Sequence, residues 1–572
     1  MRIALAQINT TVGDFSGNLA RIRHALDRGR REEVDVIVFP ELAIPGYPSE
    51  DLLEREDFLR EIEASTAAAV AATKDIGMVL GTVGRANGGD GPPIHNSALF
   101  ARDGRIIHRQ DKSLLPTYDV FDEARYFRPA SARSAVEIGG RRAALLVCED
   151  LWNDAAFWEE RRYAIDPVAE LIETQQVELI LAISASPYSV GKPEFRYHML
   201  RHTALRFGVE IAYTNLVGGN TTLIFDGGSM AFDRRGRLLA MGKLFDEDFV
   251  VFDTETESRA TSVSIPFRSE LPRSRRSSEP APYDPDAVGE RELEEIFDAL
   301  VLGTRDFLHK SGFDRALIGL SGGIDSALVA VIAARALGAE NVTGVALPSR
   351  YSSKGSIDDA EALASALGIE LLHIPIEETF QATLETLAPV FAGLPQDVTE
   401  ENLQARVRGL LLMALSNKRG AMLLATGNKS ELATGYCTLY GDMAGGLAVI
   451  GDVPKLLVYR LSRWIHRKEK IIPLSTIEKP PSAELRPNQR DQDTLPPYEI
   501  LDPILHAYIE ERQSIEAIVD LGYERATVER VARWVHDTEY KRKQAAPILR
   551  VTSKAFGPGR RFPIVERFRR QS

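Results

Sequence analysis

The chain has 572 residues, 44% hydrophobic and 26% charged, which is ordinary globular composition and long enough for two or more separately cored domains. No run of about 18 consecutive apolar residues occurs, so no membrane-spanning helix is expected. The net charge of −13 argues against a nucleic-acid partner, and two cysteines, Cys148 and Cys437, are too few for a disulfide framework and fit a reducing cytoplasm.

The opening MRIALAQINTTVGDF alternates and soon reaches Asp14, which reads as a strand rather than a secretory signal. Short aliphatic runs predict strands over 3–8, 34–39, 78–83, 143–147, 179–183 and 211–216. Helical patterns over 18–31 and 58–73 lie between them, giving a sheet with helices packed against it. Residues 227–242 read as a hairpin turning at Asp233-Arg234-Arg235-Gly236. Residues 264–289 are rich in Pro, Ser and charge and carry no apolar period, so a first domain over 1–263 and a second over 290–572 are expected, with 264–289 as linker. The second opens with a helix over 290–310, a strand over 315–320, a glycine-rich turn, an alanine-rich helix over 327–337 and a strand over 342–347. That order predicts a doubly wound α/β domain with its ligand at the strand C-termini. The last segment, 541–572, carries ten Lys/Arg against one acid, Glu566, hence +9 against −22 elsewhere. It is either a solvated or subunit-contacting tail, or a segment closing over a polyphosphate.

Three strings in the first half place Glu41 in FPELAIPGYP, Lys112 in RQDKSLLPTYDVFDE and Cys148 in ALLVCEDLW. Glu41 and Cys148 follow predicted strands, where side chains converge on a pocket. A thiol is the nucleophile once deprotonated. A carboxylate can take its proton and later activate water, and an ammonium can stabilise an oxyanion, so the set suffices for amide hydrolysis through a thioester. Singly, the Cys reads as a small core residue and the Glu as a cap or a solvated charge. Together, over about residues 1–260, the strings resemble the nitrilase/amidase superfamily. That resemblance implies an αββα sandwich with Glu41 as general base, Lys112 as oxyanion stabiliser and Cys148 as nucleophile. It also implies that Tyr118, Ser186 and Lys192 hold glutamine. Glu123 is either a second acid in the pocket or a solvated charge.

In the second half, ALIGLSGGIDSALVA joins a strand to a helix through residues Gly319, Leu320, Ser321, Gly322, Gly323, Ile324, Asp325 and Ser326. Glycines allow close backbone approach, and amides at a helix N-terminus bind phosphate. No Gly-Lys-Ser/Thr follows, so this is not a Walker A loop. The loop resembles that of the ATP pyrophosphatase superfamily, which cleaves ATP between its α- and β-phosphates. The strings ATGNKSELATGY, YGDMAGGLAVIGDVPK and EYKRKQ narrow the resemblance to NAD⁺ synthetases over about 290–572. That resemblance implies Asp325 and Glu431 as Mg²⁺ ligands, with Thr426 and Lys455 at ATP. It places Asn402, Glu431 and Lys541 at deamido-NAD⁺. Read alone, Lys455 and Lys541 are surface charges. Cys437 has no role in this reading, and the ten histidines form no zinc motif.

The two halves together resemble the glutamine-dependent NAD⁺ synthetase family. The resemblance implies ATP as co-substrate, Mg²⁺ as cofactor, ammonia passed between two sites, deamido-NAD⁺ and L-glutamine as further substrates, and a cytoplasmic homo-oligomer without membrane or nucleic-acid partners. Two alternatives stand beside it: another ATP-dependent glutamine amidotransferase of the same superfamily, and an ammonia-dependent synthetase whose first domain is a non-catalytic scaffold.

Overall fold

The aliphatic runs of the first half pair into two six-stranded sheets. In chain order the strands are β1 Arg2–Gln7, β2 Val36–Val38, β3 Gly77–Arg85, β4 Ile94–Arg102, β5 Arg105–Asp111, β6 Val136–Ile138, β7 Arg141–Val147, β8 Leu179–Ser184, β9 Glu210–Asn215, β10 Val217–Asn220, β11 Leu223–Asp226, β12 Met230–Phe232, β13 Leu238–Met241 and β14 Asp248–Asp253. The computed structural model describes all residues except 87, 89, 255–264, 269–283, 285–286, 488 and 569–572, so most of the expected linker lies outside the described residues. The chain forms two units, Met1–Glu279 and Pro280–Ser572.

One sheet of the first unit runs β14-β1-β2-β3-β4-β5 and the other β13-β12-β9-β8-β7-β6. Their centres, β1-β2-β3 and β7-β8-β9, are parallel, and antiparallel strands close the edges. Parallel strands buried on both faces read as continuous aliphatic runs, which is why these six were predicted. The inner faces meet in one apolar layer, with Leu5, Val38 and Val79 from one sheet against Leu145, Leu181 and Ala212 from the other. Helices Phe15–Arg31 and Glu56–Ala71 cover the first outer face through Ile22, Leu26 and Ile62. Helices Pro167–Gln175 and Lys192–Phe207 cover the second through Leu171, Tyr197 and Leu200. The result is the expected αββα sandwich.

The hairpin β12–β13 forms with Asp233 and Gly236 closing its turn. The β4–β5 hairpin escaped the sequence reading although Asp103-Gly104, both at positive φ, carries a strong turn signal. Its second strand leaves Ile106 and Ile107 half exposed, so no clean alternation marks it.

The second unit is built on five parallel strands: β15 Ala316–Gly319, β16 Val342–Ala346, β17 Glu370–His373, β18 Met422–Ala425 and β19 Leu447–Ala448. Their order, β17-β16-β15-β18-β19, steps outward from β15 to β17 and then returns to the far side. The strand order therefore reverses between β15 and β18, where a crevice opens at the strand C-termini. Helix Ile324–Leu337 is apolar nearly all round and is correspondingly buried, between the sheet and helices Glu290–Lys310 and Lys455–Glu469. A helical cluster of Tyr498–Leu505, Ile515–Asp520 and Arg525–Asp537 completes the unit.

Part of the basic segment is built into this body. Asp452 accepts the backbone amides of Val551 (2.8 Å) and Thr552 (2.7 Å). Buried Lys429 donates to Glu510 (2.7 Å), Thr552 (2.7 Å) and the Lys554 carbonyl (2.9 Å). Ala545 and Ala546 line the crevice, so the segment's start is packed against the body rather than a free tail. Among the described residues no helix is long and apolar enough to cross a membrane.

Candidate active sites

Glu41 stands just past the end of β2, on a turn that β3 approaches closely at Gly81. A Cβ at Gly81 would lie 2.4 Å from the Pro40 carbonyl and 2.7 Å from Glu41 Cα, so only glycine lets the two segments touch. Lys112 follows β5. Cys148 follows β7, opens the turn Cys148–Leu151 and sits at φ +44°. That left-handed conformation is uncommon for a residue with a side chain and tends to mark functional turns.

These residues converge. The Lys112 ammonium donates to Glu41 Oε1 and to Glu123 Oε1, each at 2.8 Å, and all three side chains are buried. Glu41 also accepts Asn96 Nδ2 at 2.7 Å and the Ala185 amide at 2.8 Å, while Tyr47 donates its hydroxyl to Glu123 at 3.0 Å. Glu123 is thus an acid of the pocket, not a solvated charge. Burial pushes its carboxyl up to about 7, with the Lys112 ammonium opposing and Glu41 adding to the rise. Burial disfavours the Lys112 ammonium, but the Glu123 and Glu41 charges outweigh it and hold its pKa well above the usual lysine range. Burial, reinforced by Glu41, pushes the Cys148 thiol up as well, so Cys148 rests as a neutral thiol.

Asp150, two residues past the thiol, ties the pieces together. Its carboxylate accepts the amides of Ser113 (3.0 Å), Leu114 (2.9 Å) and Val147 (3.1 Å), joining the Lys112 loop to the Cys148 turn. Glu149 accepts the hydroxyls of Tyr118 (3.0 Å) and Tyr163 (3.0 Å), and Arg162 covers the Tyr118 ring at 3.8 Å. Ser186 follows the Ala185 amide held by Glu41, and its own amide donates to Asn215 at 2.9 Å. Lys192 starts helix Lys192–Phe207 with its ammonium 5.5 Å from the Trp152 ring centre. The sequence reading missed Asn96, Tyr47, Glu149, Asp150 and Tyr163. Glu149 and Asp150 stand inside the string that singled out Cys148 and Tyr47 inside the one that singled out Glu41, whereas Asn96 and Tyr163 carried no local signal.

The second site occupies the crevice of the parallel sheet. It is lined by the loop from Gly319 to Ser326 apart from Gly322, by the ends of β16 and β18 including Thr426, and by Glu431 and Lys455. Gly322 has φ +73°, and a Cβ there would lie 2.1 Å from the Ser356 carbonyl, so the loop is threaded against helix Lys354–Leu367 through a position that takes only glycine. Helix Ile324–Leu337 begins behind it with no side-chain cap, leaving first-turn amides to bind an anion. Lys455 is buried, bonded to Asp325 Oδ2 and 3.6 Å from Glu431 Oε1. Asn428 bridges the two acids, donating Nδ2 to Asp325 (3.0 Å) and its amide to Glu431 (3.1 Å). Burial, then the facing Asp325 charge, pushes the Glu431 carboxyl up to about 8, with Lys455 opposing. Near neutral pH Glu431 therefore keeps its proton while Lys455 balances Asp325, and the second carboxylate ionises only when further positive charge enters the crevice.

A carbon-nitrogen hydrolase family model matches residues 2–260 and an NAD synthase family model residues 296–545. The chain is 46% identical to the glutamine-dependent NAD(+) synthetase of Thermotoga maritima, across 100% of this chain and 99% of that protein. The chain belongs to the glutamine-dependent NAD⁺ synthetase family. The corresponding synthetase of Synechocystis sp. is 45% identical over 100% of this chain and 99% of its own. A solved glutamine-dependent NAD⁺ synthetase from Acinetobacter baumannii, in complex with ADP, is 37% identical, with coverage of 99% and 98% and a TM-score of 0.75.

Two residues that the NAD⁺ synthetase resemblance assigned to the dinucleotide do not line the crevice. Asn402 accepts the Thr438 hydroxyl at 2.8 Å, and the Lys541 ammonium donates to the Gly435 and Cys437 carbonyls, each at 2.8 Å. Lys541 thereby braces the segment whose Tyr436 and Cys437 do face the crevice. Cys437 is half-buried and lines the crevice. Arg408, Lys479 and Asp491 also line the crevice and were not singled out from sequence.

Proposed function

We propose that the chain converts deamido-NAD⁺, ATP, L-glutamine and water to NAD⁺, AMP, diphosphate and L-glutamate at two sites. In the first, Cys148 Sγ attacks the glutamine amide carbon as its proton passes to Glu41. Glu41 then protonates the departing ammonia and, acting as base on water, drives hydrolysis of the thioester. Lys112, held charged by Glu41 and Glu123, stabilises the tetrahedral oxyanion. Tyr118, Ser186 and Lys192, which stand around the Cys148 turn, hold the amino-acid part of glutamine. A neutral resting thiol beside a carboxylate suits this division: the base has a proton to take, and the thiol stays protected from oxidation until substrate arrives.

In the second site the nicotinate carboxylate of deamido-NAD⁺ attacks the α-phosphate of ATP. The loop amides and Lys455 receive the departing diphosphate, Thr426 contacts ATP, and ammonia then displaces AMP from the acyl-adenylate. Asn402, Glu431 and Lys541 form or brace the deamido-NAD⁺ side. Asp325 and Glu431 fit a Mg²⁺ ion: both are hard oxygen donors, and an arriving cation would take the place of the proton that burial keeps on Glu431. Among the described residues no group of three or more His, Cys, Asp or Glu side chains is placed to hold a metal. Phosphate oxygens and water would therefore complete its shell, as Mg²⁺ prefers. When bound, the ion would neutralise charge on the phosphates.

The observation that carries the reading is that one chain keeps both constellations intact, the buried Glu41–Lys112–Cys148 set and the loop-and-carboxylate crevice. The full-length family match favours neither alternative raised by the sequence. Cytoplasmic residence is supported by the two free thiols, and a homo-oligomer by the exposed apolar side chains of Val390, Leu394, Val398 and Leu410. The test is ATP-dependent NAD⁺ formation from deamido-NAD⁺, with glutamine and ammonium salt in parallel. Formation with both nitrogen sources is expected; no NAD⁺ with either would refute the reading.

A further inference from the structure

The loop from Ser321 to Ser326 is held by a side chain that the mechanism above does not use. Lys479 ends the short helix Leu474–Glu478, and its ammonium donates to the Gly322 carbonyl at 3.0 Å. The same ammonium donates to Ser356 Oγ at 3.0 Å and to Asp359 Oδ2 at 3.1 Å. Asp359 is buried, and its other oxygen accepts the Ser475 hydroxyl, so the carboxylate is fixed before it holds the lysine. Ser356 is the residue whose carbonyl faces Gly322, and its hydroxyl donates to Glu484 at 2.7 Å.

Two consequences follow. Glycine leaves the backbone conformationally free, and successive backbone amides form an anion-binding concavity only when their peptide planes are fixed. With the Gly322 carbonyl held by Lys479, the peptide plane that leads into the first-turn amides of the following helix is fixed. Lys479 also begins the run 479–485, which lines the crevice opposite the loop and is held at its far end by Gln404 donating to the Leu485 carbonyl at 2.9 Å. One ammonium thus joins the phosphate loop, helix Lys354–Leu367 and the facing wall.

We propose that Lys479, oriented by Asp359, is a positioning residue for the phosphate loop: it presets the Gly322 peptide so that the loop receives the diphosphate end of ATP, without itself touching phosphate. This rests on the functional reading above. The test measures binding of inorganic pyrophosphate with Mg²⁺ by calorimetry on the full chain, together with steady-state kinetics of the ammonia-driven reaction. Lys479→Met is expected to weaken pyrophosphate binding at least tenfold and to raise the KM for ATP in proportion, with the KM for deamido-NAD⁺ within twofold of the wild type. Lys479→Arg should retain most of the affinity. Asp359→Asn and Ser475→Ala, which keep the ammonium but loosen its support, should shift binding in the same direction by smaller factors, and they serve where Lys479→Met does not fold. Wild-type pyrophosphate affinity in Lys479→Met overturns the proposal. So does Asp359→Asn binding as tightly as wild type or tighter, because a lysine freed from its carboxylate and contacting phosphate directly would gain affinity. Absence of pyrophosphate binding in the wild-type chain would instead refute the functional reading and this proposal with it.

Discussion

Replacing Glu123 with Gln separates the charge of the second buried acid from its shape. Glu123 is pushed from 4.5 up to about 7. At about 1.4 kcal/mol per unit, ionising it in the folded protein costs about 3 kcal/mol relative to the unfolded chain. The sign follows from proton counts. Between those two values the folded state keeps a proton that the unfolded state has released, so this group's contribution to stability falls as pH rises through the window and is flat above it. Gln does not titrate. The variant should therefore gain on the wild type by about 3 kcal/mol between pH 4.5 and pH 8. Denaturant-dependent hydrogen exchange of peptides from β7 to β9 reads the first unit by itself. The catalytic effect runs the other way. At pH 8 Lys112 loses a charged partner and bears more strongly on Glu41, weakening it as a base. A charge-assisted hydrogen bond is worth about 1.5–3 kcal/mol, so glutamine hydrolysis should fall roughly 10- to 100-fold. A stability difference that does not change across this pH range, or unchanged hydrolysis, would refute the placement of Glu123 as a titrating partner of Lys112.

Cys148→Ala should abolish glutamine-dependent NAD⁺ formation and spare the ammonia-dependent reaction; loss of both in a folded variant would refute the two-site reading. Asp325→Asn keeps the shape beside Asn428 and Lys455 but removes one of the two crevice carboxylates. Synthesis should then fail with either nitrogen source across a Mg²⁺ titration while glutamine hydrolysis survives at least in part, and a wild-type rate would remove Asp325 as a metal ligand. Lys429→Met removes the buried ammonium shared by the Glu510 and Asp452 carboxylates. A cost of about 3–5 kcal/mol is expected, read as a lowered unfolding transition in the second unit, and an unchanged transition would refute the view that this lysine locks the segment near Thr552 in place.

Much of the fold was legible in the chain. The parallel strands β1, β2, β3, β7, β8, β9, β15 and β16 are buried on both faces and announce themselves as aliphatic runs. The edge strands β5, β10 and β14 do not, because partial exposure or short length leaves no period to read. The strings around Glu41, Lys112, Cys148 and Ser321–Ser326 were visible because such chemistry needs particular residue types within a few positions.

What the sequence determined by itself is therefore local: which residues are chemically competent, which runs are buried, and where the composition breaks. Tertiary structure alone decided which competent residues act together. Glu123 became a buried acid only because Tyr47, Asn96 and Lys112 meet it from other segments. Lys541, equally basic in the chain, was turned onto two backbone carbonyls. Lys479 reaches the phosphate loop, and the Asp359 that holds it, from more than a hundred residues away. Charge state follows the same division. An isolated Glu ionises near 4.5, and only burial beside another carboxylate raises Glu431 to about 8 and Glu123 to about 7. Desolvation and charge–charge interaction depend on distances that no linear spacing encodes.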